Sequence, residues 1–119
     1  MRGETQDGPS PDRGDHPPYP VGLRLAGRRV VVVGGGHVAQ RRVPALIAAG
    51  ADVLLVSPQV TPALEGLAGE ITWRQRRFEP VDLDDAWYVV AATNDPHANE
   101  LVSTECERRR IFCVRADDA

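Results

Sequence analysis

From residue 28 onward, short apolar runs alternate with stretches of helical spacing. Residues 28–33 (RRVVVV) and 51–56 (ADVLLV) are aliphatic almost throughout and do not alternate with polar positions. Strands read that way when helices cover both faces of a parallel sheet. Residues 87–92 (WYVVAA) and 111–114 (IFCV) repeat the pattern. Residues 71–76 (ITWRQR) instead alternate Ile71, Trp73 and Gln75 against Thr72, Arg74 and Arg76, which suits an edge strand.

Between these runs lie helical segments with recognisable ends. Residues 37–49 have helical composition and stop at Gly50, a residue suited to the turn after a helix. Thr61 can cap a short helix with Pro62 in its first position, where the missing N–H is no loss. Asp95 and Pro96 open a further helix whose apolar positions Ala98, Leu101, Val102 and Cys106 keep helical spacing. Arg108, Arg109 and Arg110 crowd its end, where the helix dipole favours cations. Pro44 falls inside the helix at 37–49, where a kink or a detached first turn is expected. Strands separated by helices predict an α/β fold, a doubly wound, Rossmann-like parallel sheet of about five strands. Right-handed crossovers make 3-2-1-4-5 the most economical order.

The first 20 residues, MRGETQDGPSPDRGDHPPYP, hold five of the ten prolines and almost nothing apolar, so residues 1–20 read as a disordered leader. Residues 21–119 are left as one domain, the size that 119 residues support. A net charge of −3 supplies no positive field for nucleic acid or an anionic membrane. No apolar run approaches the ~20 residues that span a bilayer, and no secretory segment follows Met1, so a cytoplasmic location is expected. All 14 basic residues are arginine, which excludes a Schiff-base lysine. Cys106 and Cys113 are too few for a disulfide scaffold and form no CxxC pair; packing between helix and strand is expected of them, and no metal site.

The candidate chemistry begins at Gly34-Gly35-Gly36-His37-Val38-Ala39, a G-x-G-x-x-A loop between a valine strand and a helix. Gly34 would permit the tight turn, Gly36 the approach of a pyrophosphate, and Ala39 close packing of helix on strand. Amides around Gly36, His37 and Val38 then face an anion at the positive helix end. The acid that usually binds the ribose at the end of the second strand is missing. That strand ends in Val56-Ser57-Pro58, and the nearby Asp52 lies at its other end. Ser57 or a backbone group would take the ribose, and with no arginine following to hold a 2′-phosphate, NAD is favoured over NADP. The same sheet edge should carry Thr93 and Asn94 after the fourth strand and Asp117 after the fifth, a candidate general base. Turn-making alone also accounts for Asn94, and a solvated chain end for Asp117.

The stretches VVVVGGGHVAQRRVPALIAAGADV, VVAATNDPHANE and RRRIFCVRADDA, in that order, resemble the N-terminal module of siroheme synthase. That family comprises precorrin-2 dehydrogenases that in many members are also sirohydrochlorin ferrochelatases. The resemblance implies NAD-dependent oxidation of precorrin-2 to sirohydrochlorin, often followed by iron insertion. It also implies a homodimer whose second, helical half holds much of the tetrapyrrole pocket. It places the catalytic aspartate on Asp117 and cofactor contacts on Gly34, Gly36, His37, Val38, Ser57, Pro58, Gln59, Thr93 and Asn94. The family's helical part has no counterpart before Ala119, so the chain reads as a fragment. The competing reading is a nucleotide-sensing regulatory domain, which would keep an acid after the second strand and need no base after the fifth.

Overall fold

The computed structural model describes residues 13–116. Five strands form a single parallel sheet: β1 (Arg29–Val33), β2 (Asp52–Val56), β3 (Thr72–Arg74), β4 (Tyr88–Ala91) and β5 (Phe112–Arg115). The order across the sheet is β3-β2-β1-β4-β5, as the hydrophobic pattern predicts. Helices α1 (His37–Ala48), α2 (Pro62–Glu65) and α3 (Pro96–Arg109) make the crossovers, and a 3-10 turn at Pro80–Leu83 precedes β4.

The uninterrupted valines of β1 are explained by two cores. Val30 and Val32 pack with Val43, Leu46 and Leu64 on the α1/α2 side, while Val31 and Val33 pack with Leu83, Val102 and Cys106 on the α3 side. A strand with period-two side chains between two helical layers has no polar face left. The register sets Val33 opposite Val56 on one side and Ala91 on the other, so these strands end together. Their shared carboxyl edge is where a parallel sheet presents its loops to a ligand.

Several expectations need correction. The edge strand expected over 71–76 contracts to β3, because Arg76 turns away to pair with Asp82. The last strand is shifted by one residue to Phe112–Arg115, with Phe112 exposed at the opposite edge. Helix α1 runs continuously across Pro44; the proline is exposed, so the carbonyl it leaves without a partner faces solvent rather than core. On α3 the buried positions are Asn99, Val102 and Cys106, while Leu101 is 54% exposed. Of the leader expected over 1–20, residues 1–12 lie outside the described residues, Arg13–Asp15 form a 3-10 turn, and residues 14–20 are exposed.

Two caps match their sequence signals. Thr61 Oγ1 accepts from the Leu64 amide at 3.3 Å, and Asp95 Oδ1 accepts from the His97 amide at 2.9 Å. A buried carboxylate had no such signal. Asp82 receives Arg74 at 2.8 Å and Arg76 at 2.6 Å, clamping the end of β3 to the turn that leads into β4. Burial acts to raise its pKa, but hydrogen bonds from Arg76, the Glu79 amide and Arg74 outweigh that and leave the carboxyl below its ordinary range.

Candidate nucleotide-binding site

Three loops converge at the carboxyl edge. The loop after β1 is held by the Gly34 amide donating to Val56 O at 2.9 Å, and the Thr61 amide donates to Gly35 O at 2.9 Å. The Ala92 amide donates to Val33 O at 2.8 Å, drawing the end of β4 alongside. Between these loops lies a cavity of about 440 Å³, lined by residues 34–37, 57–61 and 92–94. Gly34, Gly36, His37, Ser57, Pro58, Gln59, Thr93 and Asn94, all singled out in the sequence, therefore meet in one place. Val38 does not line it; its side chain packs against the core on the α1 side. Asp117 lies outside the described residues.

The three glycines differ in what they exclude. A Cβ on Gly34 would stand 2.5 Å from Ala92 O, and the residue has φ +123°, so a side chain is refused twice. On Gly35 a Cβ would meet Gln59 O at 2.0 Å and Ser57 Oγ and Val60 Cγ1 at 2.9 Å. Gly35 is thus a crossing point of two loops, which its placement as an unspecified position in the loop motif concealed. Gly36 is the opposite case. Its φ of −92° suits any residue, and nothing lies within 4 Å of a Cβ built there. The protein alone gives no reason for glycine at 36, since the space there is open.

Gly36 is also the N-cap of α1, with no side-chain cap and no acidic residue in the first turn. The amide of Gln40 returns to Gly36 O at 3.0 Å. The N–H groups of the three preceding residues have no place in the helical ladder and are available to an anion. His37 is exposed at this point.

Polar groups on the other two loops are partly committed. Ser57 is only 7% exposed, and its hydroxyl donates to Gln59 O at 2.6 Å, which leaves oxygen lone pairs but no proton for a ligand. The carbonyl of Ser57 accepts from Trp73 Nε1 at 2.9 Å, so the edge strand braces the loop. The Thr93 hydroxyl accepts from the Asp95 amide at 3.1 Å and faces Asp95 O at 3.0 Å and Asn99 Oδ1 at 2.8 Å, turned into its own turn. Asn94 is exposed, and its side chain makes no hydrogen bond among the described residues.

A second cavity of about 320 Å³ lies on the α3 side of the same edge and shares Gly34, Ser57, Pro58 and Thr93 with the first. Val33, Val56, Phe78, Ala98 and Leu101 give it apolar walls, while Arg77, Asp95 and His97 add polar groups. This accounts for the exposure of Leu101: it faces a cleft, not the core. Arg77 was missed because attention to nucleotide selectivity stopped at the residues directly following β2. Its neighbours Arg74 and Arg76 are occupied by Asp82, whereas Arg77 reaches the cleft. The cysteines keep the packing role expected of them. Cys106 is buried on α3, and hydrogen bonding to Cys113, followed by burial, holds its thiol far above the ordinary range. Among the described residues no cluster of three or more metal-ligating side chains occurs.

A family model described as "Putative NAD(P)-binding" matches residues 21–119. The chain belongs to this NAD(P)-binding family. Its curated relatives include a siroheme synthase of Sodalis glossinidius, 41% identical over 101 residues, covering 83% of this chain and 21% of the relative. A siroheme synthase of Xylella fastidiosa is 40% identical over 103 residues, covering 84% of this chain and 22% of the relative. Among solved structures, SirC, a precorrin-2 dehydrogenase, superposes with a TM-score of 0.72 at 30% identity, covering 83% of this chain and 49% of SirC. The chain thus spans about a fifth of the length of the siroheme synthases it matches and about half that of SirC. No helix among the described residues is long and apolar enough to cross a membrane.

Proposed function

We propose that this NAD(P)-binding domain serves a precorrin-2 dehydrogenase, oxidising precorrin-2 to sirohydrochlorin with NAD⁺ in siroheme biosynthesis. The observation that carries the reading is Gly36: a glycine the fold does not need, at a helix start with free amides, beside a cleft of nucleotide size. The similarity to SirC and to the siroheme synthases supplies the reaction class.

In this reading the amides that follow Gly36 hold the pyrophosphate, Ser57, Pro58 and Gln59 flank a ribose, and Asn94 lies beside the bound nucleotide. NAD⁺ held by these residues would supply the hydride acceptor for a ring carbon of the macrocycle. The accompanying proton leaves to a base, for which Asp117 is our candidate. Precorrin-2 and NAD⁺ thereby become sirohydrochlorin, NADH and a proton, and the bookkeeping of atoms and charge closes. The proposal extends to iron insertion, in which the same carboxylate would accept the pyrrole protons that iron displaces, and to a cytoplasmic homodimer. The regulatory alternative is less favoured, since the β2 end offers no acid to the ribose and the similarity leads to biosynthetic enzymes.

Calorimetric titration with NAD⁺ and NADP⁺ tests the site directly, with Gly36→Val as control. Saturable NAD⁺ binding, lost in the variant, is the expected result. A folded wild-type chain that binds neither nucleotide overturns the reading for this domain. Arg77 makes the NADP⁺ arm informative, because it brings a cation to the second cavity.

A further inference from the structure

We propose that Asn99 is a positioning residue for the nucleotide cleft: from within α3 it holds Thr93 in the shape that presents Asn94 to the bound dinucleotide. The inference rests on the NAD-binding reading above and adds a residue to it that touches no ligand.

Asn99 is fully buried, at 0% exposure, on the same face of α3 as Val102 and Cys106. A buried amide costs stability unless its donors and acceptor are met. Here its side-chain hydrogen bonds all go to one residue. Oδ1 accepts from the Thr93 amide at 3.0 Å and lies 2.8 Å from the Thr93 hydroxyl, while Nδ2 donates to Thr93 O at 3.1 Å. The side chain therefore replaces a sheet partner for the residue at which the chain leaves β4. The pattern also fixes the amide's orientation, because the Thr93 N–H requires an oxygen and the Thr93 carbonyl a nitrogen.

Helix capping does not account for this arrangement. Asp95 already caps α3 through the His97 amide, and the Asn99 amide nitrogen makes the ordinary helical bond to Asp95 O at 3.0 Å. Packing does not account for it either, since Val102 and Cys106 show that apolar side chains fill this face. What the amide does specifically is tie down Thr93. Thr93 borders both cavities, and Asn94 follows it into the larger one. With the Thr93 hydroxyl spent inside the turn, Asn94 is the residue of this loop whose polar side chain is left for a ligand.

The test uses Asn99→Asp, which keeps the size and the acceptor but replaces the donor. As a carboxylate, the new group opposes the Thr93 carbonyl with a second oxygen; protonated, it can donate to that carbonyl again. Burial disfavours the charged form of such a carboxyl, so the protonated, donating form is more populated at about pH 5.5 than at about pH 8.5. The ionisable groups on the surrounding elements are Asp95, His97, Glu100, Glu105, Cys106, Glu107, Arg108 and Arg109 on α3 and its cap, Tyr88 on β4, Cys113 and Arg115 on β5, and Asp82 in the 3-10 turn. Wild-type chain titrated over the same range controls for all of them.

NAD⁺ affinity of Asn99→Asp is expected within about threefold of wild type at the lower pH and at least about tenfold weaker at the higher one, with circular dichroism showing a folded chain at both. Equal affinity relative to wild type at both pH values overturns the proposal. Amide exchange in the wild-type chain provides a measurement that needs no variant. The Thr93 N–H, although in a loop, is expected to exchange at least about 100-fold more slowly than an unprotected amide. Free exchange at Thr93 overturns the proposal, including where Asn99→Asp fails to fold at the higher pH. Absence of NAD⁺ binding by the wild-type chain, with Thr93 protected, overturns the nucleotide reading instead and with it the positioning role, while leaving the lock on the turn established.

Discussion

Gly35 and Gly36 are adjacent glycines with opposite sensitivities. In Gly35→Ala the new methyl would stand 2.0 Å from Gln59 O, well inside the roughly 3.3 Å at which carbon and oxygen come into contact, and 2.9 Å from two further atoms. The nearest obstacle is backbone, so relief requires moving the loop that carries Ser57–Gln59, which is itself held by the Ser57 hydroxyl and by Trp73. Overpacking a close-packed site costs about 1–3 kcal/mol, and a backbone collision belongs at the upper end. For a domain of this size, about 2–3 kcal/mol lowers the melting temperature by about 10 °C or more. In Gly36→Val the side chain enters open space at an extended backbone position. Reduced freedom of the unfolded chain and a poorer N-cap act in opposite directions, so stability should stay within about 1 kcal/mol of wild type. NAD⁺ affinity should nevertheless fall at least about tenfold, as expected when even one charge-assisted bond to the pyrophosphate, about 1.5–3 kcal/mol, is blocked. Thermal unfolding and calorimetric titration of both variants measure the two effects separately. A Gly35→Ala chain as stable as wild type, or a Gly36→Val chain that binds NAD⁺ normally, would refute the assignment of the first glycine to architecture and the second to the ligand.

Two further outcomes follow from other residues. Asp82→Asn should lower stability at neutral pH by about 2 kcal/mol, through weakened charge-assisted bonds to Arg74 and Arg76. Because the Asp82 carboxyl lies below its ordinary value of 3.8 in the folded chain, its contribution is complete above about pH 4 and disappears as pH falls through the folded value. The wild-type advantage in urea midpoint should therefore shrink between neutral pH and about pH 3, and an unchanged advantage would exclude the clamp. Asp117→Ala, in a form of the protein that turns over precorrin-2, should abolish NADH formation while leaving NAD⁺ affinity within about twofold; full turnover would remove Asp117 from the proton transfer.

The sheet was legible because its signal is local: four apolar runs and one alternating run, separated by helices with caps at Thr61 and Asp95. Most of the cleft was legible for a related reason, since strand ends in a parallel sheet bring their following residues to one edge. The residues that escaped are those whose roles depend on distant partners. Gly35 looks interchangeable until the Gln59 carbonyl is placed over it. Asn99 interrupts an apolar stripe, and its role shows only once Thr93 is brought beside α3. Leu101 shares the helical spacing of Val102 and Cys106, and such spacing does not distinguish a buried stripe from one bordering a cleft. Asp82, within a run of acids, gave no indication that two arginines would converge on it.

The contact between Gly35 and Gln59 also constrains how the domain can be altered. The loop proposed to border the ribose and the loop proposed to receive the phosphates share an atomic contact surface, so neither is an independent module. A graft at Ser57–Gln59 intended to change nucleotide preference would carry a carbonyl over Gly35, and a donor loop with a different carbonyl path would distort the glycine loop as well. Successful exchanges of specificity in this scaffold should accordingly come from single side chains at the rim, such as Arg77, rather than from replacement of the loop.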